Sequence, residues 1–356
     1  MVIVFLSGGS YKIKRTPTDY QQCKNVIFMI GDGMGFNSIK LAEQESGKEF
    51  ESFKSFPLQG ESKTRSATYA FTDSAAGGTA LATGVRTSLR AIGVAPEDMD
   101  AEESYPMSLT DLAISQGKSA GIVTTDFPFE ATPASFSSHH RYRYDYNVSL
   151  SQQVSGGIQL IWGRRSNQVD YNIAADAGYE VVSEKEDFLN IKSGTFTYGR
   201  FPETIDKNDE NVLGAPTLAE MTDKAIDLLD DNKNGFFLMI EEGYIDQKSD
   251  DKDAKGLSVA VTNFDSAIKV ALDYAKKSGD TMVIVTADHE TGGIKKLFNK
   301  YVYTTTEHTA ANVPVYIYGC DNFIKNGEVV ENREIARRTA CVMGEKNFPI
   351  RVAVVK

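Results

Sequence analysis

Ser74 stands in Thr72-Asp-Ser-Ala-Ala-Gly77, with an acid on one side and a run of very small side chains on the other. Asp73 is a candidate N-cap and the small residues can open a helix, which would put the Ser74 oxygen in the positive field of a helix N-terminus. That field favours an alkoxide nucleophile or a bound phosphate. Ser and Asp are also common cap residues, so this tripeptide alone reads first as an ordinary N-cap turn. Residues of metal-ligand type strengthen the chemical reading. Asp32 lies in Gly31-Asp-Gly-Met-Gly35, Asp288 and His289 in Thr286-Ala-Asp-His-Glu-Thr-Gly292, and His308 in Thr306-Glu-His-Thr309, with Glu241 and Asp246 completing the set. The chain has four histidines, and two of them sit in these acidic turns, a combination that suits metal ions better than structural hydrogen bonding.

The elements that must position these groups are apolar runs. Asn25–Ile30, Gly235–Ile240 and Thr281–Thr286 are continuous and β-rich, the pattern of strands buried on both faces, and each is followed at once by one of the acids. A fourth run, Val313–Tyr318, comes just after His308. Helical stretches at Leu218–Asp230 and Val259–Lys277 alternate with the strands, which predicts an α/β architecture. In open α/β sheets ligands bind at the carboxyl ends of the strands, where Asp32 and Asp288 would converge. Gly31–Gly35 has neither the spacing of a dinucleotide fingerprint nor the Lys-Ser/Thr of a P-loop.

Taken together, Gly31–Gly35, Thr72–Gly77, Ala131-Thr-Pro-Ala134 with Arg143 beyond it, Glu241 to Asp246, Thr286–His289 and Glu307-His-Thr309 resemble the alkaline phosphatase family from about Asn25 to Gly319. The resemblance implies a three-layer α/β/α sandwich around a large, mostly parallel sheet, and a phosphomonoesterase with Ser74 as nucleophile. It implies a metal held by Asp32, Asp288 and His289, and a second held by Asp246 and His308. A third ion, magnesium, would correspond to Asp32, Thr132 and Glu241, with Glu130 near its water shell. Arg143 matches the arginine that forks onto phosphate oxygens, in preference to Arg141. The family's pattern has a histidine four residues after the aspartate, where this chain has Asp250. If the segment is helical, Asp246 and Asp250 share a face and can ligate one ion, which would shift preference from zinc toward magnesium, manganese or cobalt. The alternatives are a phosphodiesterase or sulfatase of the same superfamily, or a damaged homologue that only binds phosphate or metal.

The chain has 356 residues and a formal net charge of -11, long enough for one large α/β domain and without the basic face expected of a nucleic-acid binder. Its expected partners are small phosphate monoesters. No apolar run reaches the roughly 18 residues of a membrane span. Val2–Leu6 is shorter than a signal-peptide core of about 7–15 residues, although the resemblance implies a periplasmic or secreted protein. Cys23, Cys320 and Cys341 allow one pair at most. Residues 1–22 read as an N-terminal arm, 23–356 as the catalytic domain, and 144–215 as its variable segment. Gly293–Glu307 leaves little room for the crown-like insertion of the family, so a homodimer with a smaller interface and an open site is expected.

Overall fold

In the computed structural model, which describes residues 20–99, 104–203 and 214–353, strand β1 (Asn25–Gly31) is buried along its whole length. Its side chains enter two separate cores, Ile27 and Met29 on one face, Val26, Phe28 and Ile30 on the other. A strand apolar on both faces needs helices on both sides, and this requirement sets the three layers. The remaining strands of the central sheet are β2 (Leu58–Lys63), β3 (Ser119–Thr124), β4 (Leu160–Arg164), β5 (Glu180–Val182), β6 (Thr197–Phe201), β7 (Phe236–Glu242), β8 (Thr281–Thr286), β9 (Val313–Tyr318) and β10 (Val329–Glu331). The ten strands run in the order β10-β2-β9-β8-β1-β7-β3-β4-β6-β5. Only β9 is antiparallel to its neighbours. The mostly parallel α/β sheet expected from the sequence is therefore present.

The helices that matter for the site are α1 (Phe36–Ser46), α2 (Ser74–Thr83), α3 (Ala131–Ser135), α4 (Leu218–Leu229), α5 (Tyr244–Asp250), α6 (Ala254–Ser278) and α7 (Asn332–Val342). Apolar faces of α1, α4 and α6 close one core, while α2 and α7 contribute to the other. The segment 144–215 supplies β4, β5 and β6, so it builds one side of the sheet. Its Trp162 is fully buried and donates from Nε1 to Thr197 Oγ1 at 2.8 Å. Gly293–Glu307 carries a small hairpin, Lys295–Leu297 against Lys300–Val302. The arm 1–22 lies outside the described residues except for its last three. All three cysteines are buried and free. Among the described residues no helix is long and apolar enough to cross a membrane.

Candidate active site

The register of the central strands brings the acids together. Ile30 of β1 pairs with Glu241 of β7 on one side and with Thr286 of β8 on the other, so three strand ends lie level. Asp32 follows β1, Asp288 and His289 follow β8, and Glu241 is the penultimate residue of β7 rather than a residue beyond it. Asp288 Oδ1 accepts from the Gly33 N–H at 3.2 Å and from the His289 N–H at 3.0 Å, tying the β1 and β8 turns to each other. Gly33 has φ +68°, and a Cβ there would lie 2.6 Å from Asp246 Oδ1. Only glycine takes this left-handed conformation and leaves Asp246 its place.

Ser74 opens α2. Asp73 is the N-cap, its Oδ1 accepting from the Ala76 N–H at 3.0 Å. The tiny side chains of α2 have a packing role as well, because a Cβ on Gly77 would meet the Asp288 carbonyl at 2.9 Å. The helix therefore approaches the β8 turn closely enough to bring Ser74 Oγ to 3.2 Å from His289 Nε2.

Two groups of potential ligands share His289: Asp32, Asp288 and His289 in one, Asp246, His289 and His308 in the other, with ligand atoms in each within 4.8 Å of one another. His289 Nε2 is 3.3 Å from Asp32 Oδ1 and 3.3 Å from Asp288 Oδ2. The Thr291 hydroxyl donates to Asp246 Oδ1, so at its 3.1 Å separation from His289 Nδ1 it acts as acceptor. This holds the proton on Nδ1 and turns the Nε2 lone pair toward Ser74, Asp32 and Asp288. His308 stacks on His289 with ring centroids 3.6 Å apart and donates from Nδ1 to Thr72 O at 3.0 Å, leaving Nε2 3.7 Å from Asp246 Oδ1.

The electrostatics of the cluster call for a cation. Burial pushes the Asp32 carboxyl well above its ordinary range, and the charges of Asp288, Asp246 and Glu241 add to the shift. Burial also raises Asp288 and raises Glu241 strongly, while it pushes His289 well below the ordinary imidazole value. Asp32 Oδ1 and Asp288 Oδ2 are buried without a hydrogen-bond partner. Buried oxygens of this kind are costly unless something electropositive meets them, so the donor set fits divalent ions. At the N-cap of α2, Arg143 Nη1 is 3.6 Å from Asp73 Oδ2, and its Nη2 is 3.3 Å from Glu130 Oε2. Burial opposes its charge, but Glu130 and Asp73 outweigh burial and raise its pKa.

Residues 23–170 and 162–305 match the alkaline phosphatase family. The chain belongs to that family. It is 36% identical over 300 residues to alkaline phosphatase 4 of Bacillus subtilis, a match that covers 77% of this chain and 63% of that protein. The chain thus spans less than two thirds of that relative's length. It is 30% identical over 352 residues to the alkaline phosphatase of Escherichia coli K12, covering 80% of this chain and 74% of that one. Its fold is similar to the alkaline phosphatase of the Antarctic bacterium TAB5, with TM-score 0.79 and 28% identity over 92% of this chain and 99% of that chain.

Around this cluster the other expected residues fall at different depths. Thr132, on α3, donates to Asp32 Oδ2 at 3.4 Å. Glu241 accepts from the Thr124 hydroxyl. Glu130 caps α3, pairs with Arg143 and accepts from the Tyr146 hydroxyl at 2.7 Å, so it braces the arginine rather than standing in solvent. Arg141 lines a separate cavity with His139 and Asp145. The segment after Asp246 is helical, and Asp250 ends α5 one turn on. Asp250 is outside both three-residue groups and is exposed, yet partial loss of water around its carboxyl, followed by the Asp246 charge, pushes it up to about 6. Thr291, Thr124 and Tyr146 were not anticipated. Thr291 had one available signal, its place two residues beyond His289 on a turn already marked by acids.

Proposed function

We propose that this chain is a metal-dependent phosphomonoesterase that converts phosphate monoesters to an alcohol and inorganic phosphate through a phosphoserine on Ser74. The observation that carries the reading is the position of Ser74 Oγ at a helix start, 3.2 Å from His289 Nε2, which is itself 3.3 Å from the orphaned oxygens of Asp32 and Asp288, while the preceding Asp73 lies 3.6 Å from the Arg143 guanidinium. One ion would be held by Asp32, Asp288 and His289 Nε2, and a second by Asp246 and His308. Because Thr291 occupies His289 Nδ1, the second set lacks a third protein ligand, and Asp250, on the same face of α5 as Asp246, is the residue to supply it. Magnesium would sit among Asp32, Thr132 and Glu241, a hard oxygen set. A variant of the TAB5 enzyme carries magnesium in its M3 site. When bound, such ions lower the serine hydroxyl pKa and neutralise charge developing on phosphate oxygens.

The chain's own residues account for the rest. Asp73 and the N-terminal amides of α2 fix the serine and favour negative charge beside it. Arg143, braced by Glu130, presents a planar fork to two phosphate oxygens, which a lysine's point charge cannot match. Ser74 Oγ gives its proton to solvent and bonds to phosphorus as the bond from phosphorus to the ester oxygen breaks and that oxygen takes a proton from solvent. Water then splits the phosphoserine and restores the hydroxyl. Zinc as the catalytic metal, a homodimer and export from the cytoplasm belong to the same reading and rest on the family resemblance.

The test is hydrolysis of p-nitrophenyl phosphate, bis-p-nitrophenyl phosphate and p-nitrophenyl sulfate by wild type and Ser74→Ala. Monoester turnover should dominate in wild type and fall by at least roughly a thousandfold in Ser74→Ala, with ion content unchanged. Mass analysis of acid-quenched wild type should find phosphate on Ser74. A variant within about tenfold of wild type rejects the assignment.

A further inference from the structure

Beyond the ion cluster, the loops that carry Ser74 and Arg143 share a second property. Tyr69 and Phe71, just before the nucleophile, are 55% and 42% exposed, and Tyr142 and Tyr144, on either side of Arg143, are 43% and 47% exposed. Single exposed aromatics are ordinary, but paired exposed rings next in sequence to site residues suit a binding surface. Tyr69 and Phe71 stack on each other, centroids 5.4 Å apart and planes at 25°. Tyr142 and Tyr144 meet edge to face at 5.1 Å, and Tyr144 meets Tyr146 in the same way at 6.2 Å. These rings are held in place. Ser66 donates its N–H to Phe71 O at 3.1 Å and accepts from the Tyr69 N–H at 3.0 Å, a closed turn under the first pair. The second pair is anchored by Tyr146, which donates to Glu130, and by the Arg143 guanidinium 5.6 Å from the Tyr144 ring.

Both pairs join the proposed phosphate site by continuous chain. Phe71 adjoins Thr72, whose carbonyl accepts from His308, on the Asp246 side of the cluster. In an in-line displacement at Ser74 the ester oxygen leaves on the side opposite the serine, so the alcohol portion must project out of the cluster past its rim. We propose that Tyr69 and Phe71 on one loop and Tyr142 and Tyr144 on the other, loops joined where Asp73 Oδ2 lies 3.6 Å from Arg143 Nη1, form an aromatic rim that selects phosphate monoesters whose alcohol carries a planar aromatic ring, mononucleotides among them. This rests on the phosphomonoesterase reading above. A stacked pair leaves an outer ring face to which a base or arene adds, and such stacking depends on the ring rather than on particular hydrogen bonds. Aliphatic phosphates gain nothing from the rim.

The experiment compares AMP, benzyl phosphate and glycerol 1-phosphate, all esters of primary alcohols, so that leaving-group reactivity is closely matched. In the double variant Tyr69→Ala with Phe71→Ala, kcat/KM for AMP should fall about tenfold, mainly through KM, while glycerol 1-phosphate turnover and inhibition by inorganic phosphate stay at wild-type levels. A parallel fall for benzyl phosphate assigns the rim to aromatic rings in general, and a fall for AMP alone assigns it to nucleobases. Tyr69→Phe should keep wild-type selectivity. An unchanged substrate ratio overturns the proposal, as does an equal loss for all three substrates or a change confined to oligomeric state in light scattering. Wild type that hydrolyses none of the three would instead reject the underlying phosphomonoesterase reading.

Discussion

The two ligand groups that share His289 are built differently. Asp32, Asp288 and His289 are buried and stand on the turns that follow two adjacent parallel strands, tied by the Gly33 and His289 amides to Asp288. Asp246 and His308 are only half-buried, one on the two-turn helix α5 and the other on a two-residue ladder. The buried group inherits its geometry from the sheet and has little freedom to adjust. The half-open group depends on local contacts, with Thr291 on Asp246 and Thr72 on His308, and faces solvent. An ion at the buried set should exchange slowly and tolerate no ligand change, whereas one at the half-open set should exchange readily.

The sharpest way to break this contrast is to remove one charge from each group. Asp288→Asn should lower turnover by roughly a thousandfold with no recovery in excess zinc or magnesium, because no outside ion can rebuild a buried donor set. Asp246→Asn should lose roughly a hundredfold at micromolar metal and recover much of it at millimolar metal. Rescue of both variants by added metal would erase the distinction. Asp250→Ala tests the missing third ligand of the open group, with roughly tenfold weaker retention of one ion after dialysis expected and the buried ion unaffected. Wild-type retention would make Asp250 a surface acid. Thr291→Val removes the hydroxyl that orders His289 and Asp246, and should weaken ion binding by about tenfold while leaving inhibition by phosphate nearly unchanged.

The smallest effect is on stability. Asp32, Glu241 and Asp288 have raised folded values, so between the unfolded carboxylate range near 4 and those values the folded, chelated protein binds more protons than the unfolded chain. Its stability from these groups is therefore full below about pH 4 and declines as pH rises. His289, with a lowered value, acts in the opposite sense up to about pH 6.5, but one imidazole is outnumbered by three carboxylates. The Tm gap between ion-loaded and chelated protein should widen by several degrees from about pH 5 to about pH 8. A constant gap in calorimetry would show that the cluster does not carry this strain.

The strands that set the buried group are legible in the sequence because their apolar runs are continuous and end on acids, a pattern that few other elements produce. Thr281–Thr286 and Val313–Tyr318 have the same bounds in the structure, and the run expected at Gly235–Ile240 is shifted to Phe236–Glu242, which takes Glu241 into the strand. The strand continues because Glu241 and Glu242 are both buried and hydrogen-bonded by the hydroxyls of Thr124, the last residue of the neighbouring strand, and Thr125 just after it. Single hydroxyls of this kind carry little sequence signal of their own, and Thr291 had only its place two residues beyond His289 to mark it. The half-open group is less legible for a related reason. The spacing of Asp246 and Asp250 fixes a shared face, but how α5 is rolled over the cluster depends on Tyr244 and Ile245 packing into the core. The strands β4 to β6 within 144–215 were hidden by a polar, glycine-rich composition that suggested a variable segment.

The ladder between Glu290–Thr291 and His308–Thr309 has one more consequence. Its register pairs Thr291 with His308 and Glu290 with Thr309, so the first pair looks toward the ion cluster and the second, joined by the Thr309 hydroxyl to Glu290, looks away. The Gly292 N–H donates to Glu307 O at 3.2 Å, closing the chain into a narrow neck. Whatever lies between those two residues begins and ends at the same point in space. That stretch is a graft position, where a short hairpin can be exchanged for a longer module or a foreign loop while His289 and His308 keep their stacking distance, so the outer surface of the protein can diversify independently of its chemistry.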